Sequence, residues 1–184
     1  MSGLSALNAS TVQIVLTESF APFVSVLAMG HAKILPRDVV ERGGYDAVLC
    51  HGVLEYVDDP AEGVRNAVSA LRPGGVLSLL AAGVGGAVLA RALAGHFSEA
   101  RRALDDPAGR WGEGDPVPRR FTADQLTELV EGAGLSVGAV HGVRVFADLV
   151  PGSLLDLEPG AAAALVELER AVSERPEYLP LATQ

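Results

Sequence analysis

The chain has 184 residues, enough for one domain with a substantial core and too few for two ordinary ones. Apolar residues make up 49% and charged residues 20%, which excludes an intrinsically disordered protein. With 23 acidic against 14 basic residues the net charge is −9, so there is no general pull toward nucleic acid or anionic lipid, and binding to either needs a local basic patch.

Residues 1–44 read as an irregular leader. No basic residue precedes Lys33, which leaves a secretory signal poorly supported and points to a cytoplasmic protein. Only Lys33 is lysine among the basic residues; the rest are arginine, a usage typical of a bacterial, GC-rich coding sequence. Residues 11–17 fit a strand, and 20–35 a helix. Residues 11–30 are apolar but contain Glu18 and Pro22, and no membrane span is expected there. Composition shifts at Gly43-Gly44, and from there strand and helix signals alternate.

Residues 45–50 (Tyr-Asp-Ala-Val-Leu-Cys) are a short apolar run after a glycine turn, suited to a strand buried on both faces. Asp59-Pro60-Ala61-Glu62 starts a helix over 60–71. Asp59 accepts backbone N–H groups, Pro60 takes the tolerated first position, and Val64, Ala67, Val68 and Leu71 share one face. Pro73-Gly74-Gly75 ends it, and 75–82 reads as a second buried strand. Strand, helix, strand with buried-type runs at both ends predicts a parallel pair with a crossover helix. Residues 73–90 are uncharged, but their five glycines suit a turn, a strand and a helix start better than a span.

The spacing predicts further helices over 87–104, 122–132 and 159–173. The second opens on the capping box Thr122-Ala123-Asp124-Gln125. Between the first two, 105–118 is rich in Gly, Pro and Asp and reads as a surface loop. Residues 135–149 read as a long strand, bulged at Gly138 or Gly142. The fold class expected is α/β, partial and Rossmann-like, with a mostly parallel sheet. A strand at 11–17 would suit the open edge of that sheet.

Three stretches carry a family likeness: Tyr45-Asp46-Ala47-Val48-Leu49-Cys50-His51-Gly52-Val53-Leu54-Glu55-Tyr56-Val57, Leu71-Arg72-Pro73-Gly74-Gly75-Val76-Leu77-Ser78-Leu79, and His141-Gly142-Val143-Arg144-Val145-Phe146-Ala147-Asp148. Together they resemble the class I S-adenosylmethionine-dependent methyltransferases. Within these the chain is most similar to the branch containing the tRNA 5-carboxymethoxyuridine methyltransferases. The likeness covers roughly residues 43–184. It implies S-adenosyl-L-methionine as cofactor, and a tRNA wobble-uridine carboxylate or a small molecule as methyl acceptor.

The family opens with a strand, a glycine-rich loop and a helix, and an acidic residue ends its next strand. Neither feature is found in residues 1–44, where Gly30 is the only glycine between Gly3 and Gly43. The family's final strand also has no counterpart. The expectation is therefore a divergent segment over 1–44 and the C-terminal part of a methyltransferase domain over 45–184. Such a chain is an incomplete methyltransferase, or a non-catalytic remnant or partner-dependent subunit of the same fold.

In open α/β sheets ligands sit beyond the carboxyl ends of the strands. The resemblance implies that His51, with Gly52 and Val53, lies against the adenosyl part of the cofactor; the alternative is a loop histidine bonded nearby. Glu55 and Tyr56, on the turn into the next helix, are substrate-side candidates, or Glu55 is a solvated first-turn acid. Arg144 has the planar fork that suits a carboxylate. It either holds the carboxylate that receives the methyl group or pairs with Asp148 or Glu55. No catalytic residue is assigned, because methyl transfer from a sulfonium to an oxygen anion asks mainly for positioning.

Arg101, Arg102, Arg110, Arg119 and Arg120 surround Trp111, an arrangement that can meet phosphate and base. Asp105, Asp106, Glu113 and Asp115 offset that charge, so a solvated lid is the competing reading. Gly83-Val84-Gly85-Gly86 lacks the spacing of a dinucleotide loop. Cys50, the only cysteine, reads as packing and excludes an internal disulfide. His31, His51, His96 and His141 have no ligand-like spacing, which argues against a metal site.

Overall fold

The computed structural model describes residues 4–8, 11–14 and 42–184. The chain divides into two compact units, Met1–Glu41 and Arg42–Gln184. In the first, β1 (Leu4–Asn8) and β2 (Thr11–Ile14) form an antiparallel pair with Leu4 opposite Ile14. The strand expected over 11–17 is thus present in part. Its ladder partner is β1, in an antiparallel pair. The helix expected over 20–35 lies outside the described residues.

The second unit is built on β3 (Tyr45–His51), α1 (Pro60–Ser69) and β4 (Leu71–Leu80). β3 and β4 are parallel neighbours, as the buried-type runs predict. α1 starts where the sequence says: Asp59 accepts from the N–H groups of Ala61 and Glu62 at 2.9 and 3.1 Å. β4 begins at Leu71 rather than 75. Tyr45 pairs with Leu71 and Ala47 with Val76, so two steps on β3 face five on β4. The excess is taken up at Pro73-Gly74-Gly75, where Gly74 adopts a φ of 75° that favours glycine.

Alternation along the two strands sorts the side chains. Val48, Cys50, Leu77 and Leu79 point one way, and Cys50, Leu77 and Leu79 join the core with Leu54, Val64, Val68, Phe121, Leu126 and Leu129. α1 and α4 (Ala123–Gly132) supply the helical side of that core. Ala47, Leu49, His51, Val76, Ser78 and Leu80 point the other way. On that side Leu49 is 70% exposed and Val76 64%. The strands are of the two-sided buried type, and only one side is covered among the described residues.

The single helix expected over 87–104 is two, α2 (Val84–Leu93) and α3 (Phe97–Asp105). Gly95, at φ 80°, breaks the run. The stretch 105–121 is a knit loop rather than a solvated one. Asp115 is buried and accepts from Arg120 Nη1 and Nη2 (2.6 and 3.0 Å) and from the N–H groups of Trp111 and Val117 (both 3.0 Å). The Arg91 guanidinium stacks 4.2 Å over the Trp111 ring. The loop ends beside the sheet, where Phe121 N–H donates to Ala82 O (2.8 Å) and Val84 N–H to Phe121 O (3.2 Å).

The strand expected over 135–149 is absent. Val137, Val140 and Val143 are exposed, and Arg144 has a φ of 59°, which ends any extended run. The backbone there is satisfied differently. The Glu169 carboxylate of α6 (Ala161–Val172) accepts from the N–H groups of Val145, Phe146 and Ala147 at 2.9, 2.7 and 2.7 Å. Arg144 therefore lies in a loop, not in a strand. A short helix, α5 (Gly152–Leu157), precedes α6, and a 3-10 turn (Leu179–Leu181) follows it. Val145, Val172 and Ala182 form a second small core with Phe146, Tyr178 and Leu181. No helix among the described residues is long and apolar enough to cross a membrane. None of their His, Cys, Asp and Glu groups is arranged to hold a metal ion.

Candidate functional site

The carboxyl end of β3 turns into a tight loop before α1. His51 is the last strand residue, paired with Leu80, and its Nε2 lies 2.9 Å from Ser78 Oγ on the uncovered side of the sheet. Gly52, at φ 62°, donates its N–H to Leu80 O (2.9 Å), and a Cβ added there would meet nothing. Val53 is exposed, Leu54 is fully buried, and Tyr56 is 63% exposed. Leu54 anchors this loop in the core and turns its neighbours outward.

Glu55 is the exception. It is 4% exposed, and its Oε1 accepts from Ala82 N–H at 2.7 Å. Its Oε2 is buried with no hydrogen-bond partner among the described residues. It is therefore no solvated first-turn acid. Burial first, and the Glu55 charge second, push the Cys50 thiol up from its ordinary value. A buried carboxylate oxygen without a donor costs about 1–3 kcal/mol or more, which makes it a position where a donor would be welcome.

Arg144 lies in the 142–148 loop, separate in sequence from these residues. Its Nη2 pairs with Asp148, its side chain is half exposed, and it lines a shallow cavity of about 310 Å³ with Gly142, Val143, Glu169 and Arg170. A larger cleft, about 420 Å³, lies between the start of α1, α4 and the 107–121 loop, and no residue singled out as a cofactor or substrate candidate lines it.

The structure brings His51 through Tyr56 together on one loop and joins Glu55 to Arg144 through a path the sequence did not show. Ala82 N–H holds Glu55, and Gly83 N–H donates to Thr183 O (2.8 Å). Thr183 Oγ1 donates in turn to Arg144 O (2.7 Å). The C-terminal segment thus ties the end of β4 to the 142–148 loop. The signal for it was the Gly83-Val84-Gly85-Gly86 run. Its glycines admit a backbone, for a Cβ on Gly83 or Gly86 would stand 2.5 or 2.6 Å from Ala182 O.

The expected cradle for S-adenosylmethionine would need more than the surface these residues supply. His51 Nε2 is engaged by Ser78, the space over Gly52 is open, and no glycine-rich loop faces them among the described residues. They do not complete a site for the cofactor by themselves.

A family model described as a methyltransferase domain matches residues 6–77, and so takes in most of the N-terminal segment as well as the β3–α1–β4 unit. The chain is 33% identical over 136 residues to the tRNA 5-carboxymethoxyuridine methyltransferase of Escherichia coli O157:H7. It is 32% identical over 136 residues to the protein of that name in Escherichia coli (strain K12). Each match covers 74% of this chain and 50% of the relative, so the chain spans about half the length of the curated relatives it matches. Together with the parallel β3–α1–β4 unit, these matches make the chain similar, over the matched span, to the class I S-adenosylmethionine-dependent methyltransferases of the tRNA 5-carboxymethoxyuridine methyltransferase branch.

Proposed function

We propose that the chain is an S-adenosylmethionine-dependent methyltransferase-like protein that does not complete a methyl-donor site alone. Its acceptor is a carboxylate, of a tRNA wobble uridine or of a small molecule, and it works in the cytoplasm. The observation that carries this reading is the parallel strand–helix–strand unit in a chain 33% identical to a tRNA-modifying methyltransferase over 136 residues. In this reading His51, Gly52 and Val53 face the adenosyl group. Arg144 leaves Asp148 to grip the acceptor carboxylate, with Glu55 and Tyr56 beside it. Arg144 is suited to this because its fork can exchange one carboxylate for another at little cost at a half-exposed position.

A second reading, a non-catalytic remnant or a subunit that needs a partner, is favoured by the uncovered side of β3 and β4. Calorimetric titration of the purified chain with S-adenosylmethionine separates a complete enzyme from both readings. An incomplete site gives no saturable heat up to high micromolar cofactor. Saturable binding in the low micromolar range would overturn incompleteness and make the chain an enzyme by itself.

A further inference from the structure

The start of α2 has no side-chain cap: Gly83 stands at the N-cap position and offers none. Its exposed amides are met by main chain from elsewhere. Gly83 N–H donates to Thr183 O at 2.8 Å, and Val84 N–H to Phe121 O at 3.2 Å. The carbonyl oxygens of Pro180, Ala182 and Thr183 therefore gather at the positive end of a ten-residue helix, the place where negative charge is most favourable. The approach depends on glycine. A Cβ on Gly85 would overlap Pro180 O, and one on Gly86 would stand 2.8 Å from Thr183 Cα.

The same segment is held on its far side by the 142–145 loop. Val143 N–H donates to Gln184 O (2.7 Å) and Gln184 N–H to Val143 O (3.2 Å). Thr183 Oγ1 donates to Arg144 O, and Ala182 is buried in the second core. Beyond Ala182 and Leu181 it is held mainly by main-chain hydrogen bonds, and Leu181, Thr183 and Gln184 are only half-buried. Such segments open at low free energy while the rest stays folded.

We propose that residues 180–184 are a strap that closes the gap between the Glu55–Gly83 end of the sheet and the Arg144 loop, and that its release opens the acceptor site. The strap stands on adjacent amides to the buried carboxylate: Ala82 holds Glu55, and Gly83 holds Thr183. Releasing it frees the Gly83 amide, the next along the chain from the amide that holds Glu55. This rests on the reading of Glu55 and Arg144 as acceptor-side residues, but the strap itself is tested without cofactor or acceptor.

Hydrogen exchange of the 184-residue chain, read by mass spectrometry, tests it. In the native protein, amides 181–184 exchange by a local opening that leaves β3, β4 and α1 protected. Gly85→Ala drives the strap off its cradle and raises exchange at 181–184 by roughly tenfold or more, with β3 and α1 unchanged. Thr183→Val removes only the side-chain hydrogen bond to Arg144 O, keeping the one from the Thr183 N–H, and gives a smaller rise at the same amides. Unchanged exchange at 181–184 in Gly85→Ala would overturn the proposal. So would a rise shared equally by β3 and α1 in both variants, which would make the segment part of the global fold. Calorimetry with S-adenosylmethionine on Gly85→Ala is read separately, so a chain that binds no cofactor leaves the strap result standing.

Discussion

Arg120→Met removes the partner of the most deeply buried paired charge among the described residues. The Asp115 side chain is 0% exposed, and Arg120 supplies two of the four hydrogen bonds it accepts while also donating to Gly109 O at 3.0 Å. Methionine fills similar volume but leaves a buried carboxylate without its counter-charge, which costs about 3–5 kcal/mol. Urea unfolding, followed by far-UV circular dichroism, reads it. At a slope of about 2 kcal/mol per molar, the midpoint falls by roughly 2 M. Adding Asp115→Asn to Arg120→Met discharges the buried group while keeping an oxygen for one of the two amides, so the double variant recovers part of the loss.

The pH dependence follows from Asp115. Burial pushes its carboxyl up, but the hydrogen bonds from Arg120, Trp111 and Val117 and the Arg120 charge outweigh burial and hold it below the usual value. A lowered folded-state pKa means that the stabilisation is complete above the unfolded value and is lost as pH falls through the folded one. The gap between native and Arg120→Met is therefore widest near neutral pH and narrows as pH falls, because burial without Arg120 raises the carboxyl in the variant and its protonation relieves the penalty there first. A loss under about 1 kcal/mol at pH 7, the size of an exposed pair, would refute the reasoning. A double variant no more stable than Arg120→Met would refute it equally.

Leu54→Ala empties a fully buried position under the His51–Tyr56 loop and lowers stability by about 2–5 kcal/mol in the same assay; a loss below about 1 would mean that this core collapses around the gap. Asp59→Ala removes the cap of α1 and costs about 1 kcal/mol, with Asp59→Asn recovering most of it; equal losses would show that the cap geometry does not hold the helix. Glu55→Gln removes a negative charge beside Cys50, so the pH profile for modification of that thiol shifts downward; an unchanged profile would place the Glu55 charge elsewhere.

The parallel pair and its crossover helix were legible because each signal was local and redundant. Asp59 and Pro60 mark one helix end, and the runs at 45–50 and 76–80 are too short and apolar for anything but buried strands. The Thr122–Gln125 capping box is likewise formed as written, with Gln125 N–H donating to Thr122 Oγ1 at 3.2 Å and Thr122 N–H to Gln125 Oε1 at 2.9 Å. The misread stretch at 135–149 has strand-like composition, but a strand needs a neighbour, and composition does not show whether one is present. Glu169, more than twenty residues away, takes the amides that a ladder would have used. The break at Gly95 was hidden by the alanines around it. The role of Gly83–Gly86 was hidden because glycines that admit a distant backbone look the same as glycines that admit a phosphate.

The side of the β3–β4 pair carrying Leu49 and Val76 has one further effect. Each large aliphatic left in water forgoes about 1.5–3 kcal/mol, against a total of roughly 5–15 for a domain. The native protein should thus brighten an environment-sensitive dye such as ANS while its circular dichroism is still that of the folded chain. Leu49→Thr together with Val76→Thr should dim that signal and raise solubility without loosening the fold, since both side chains are mostly exposed.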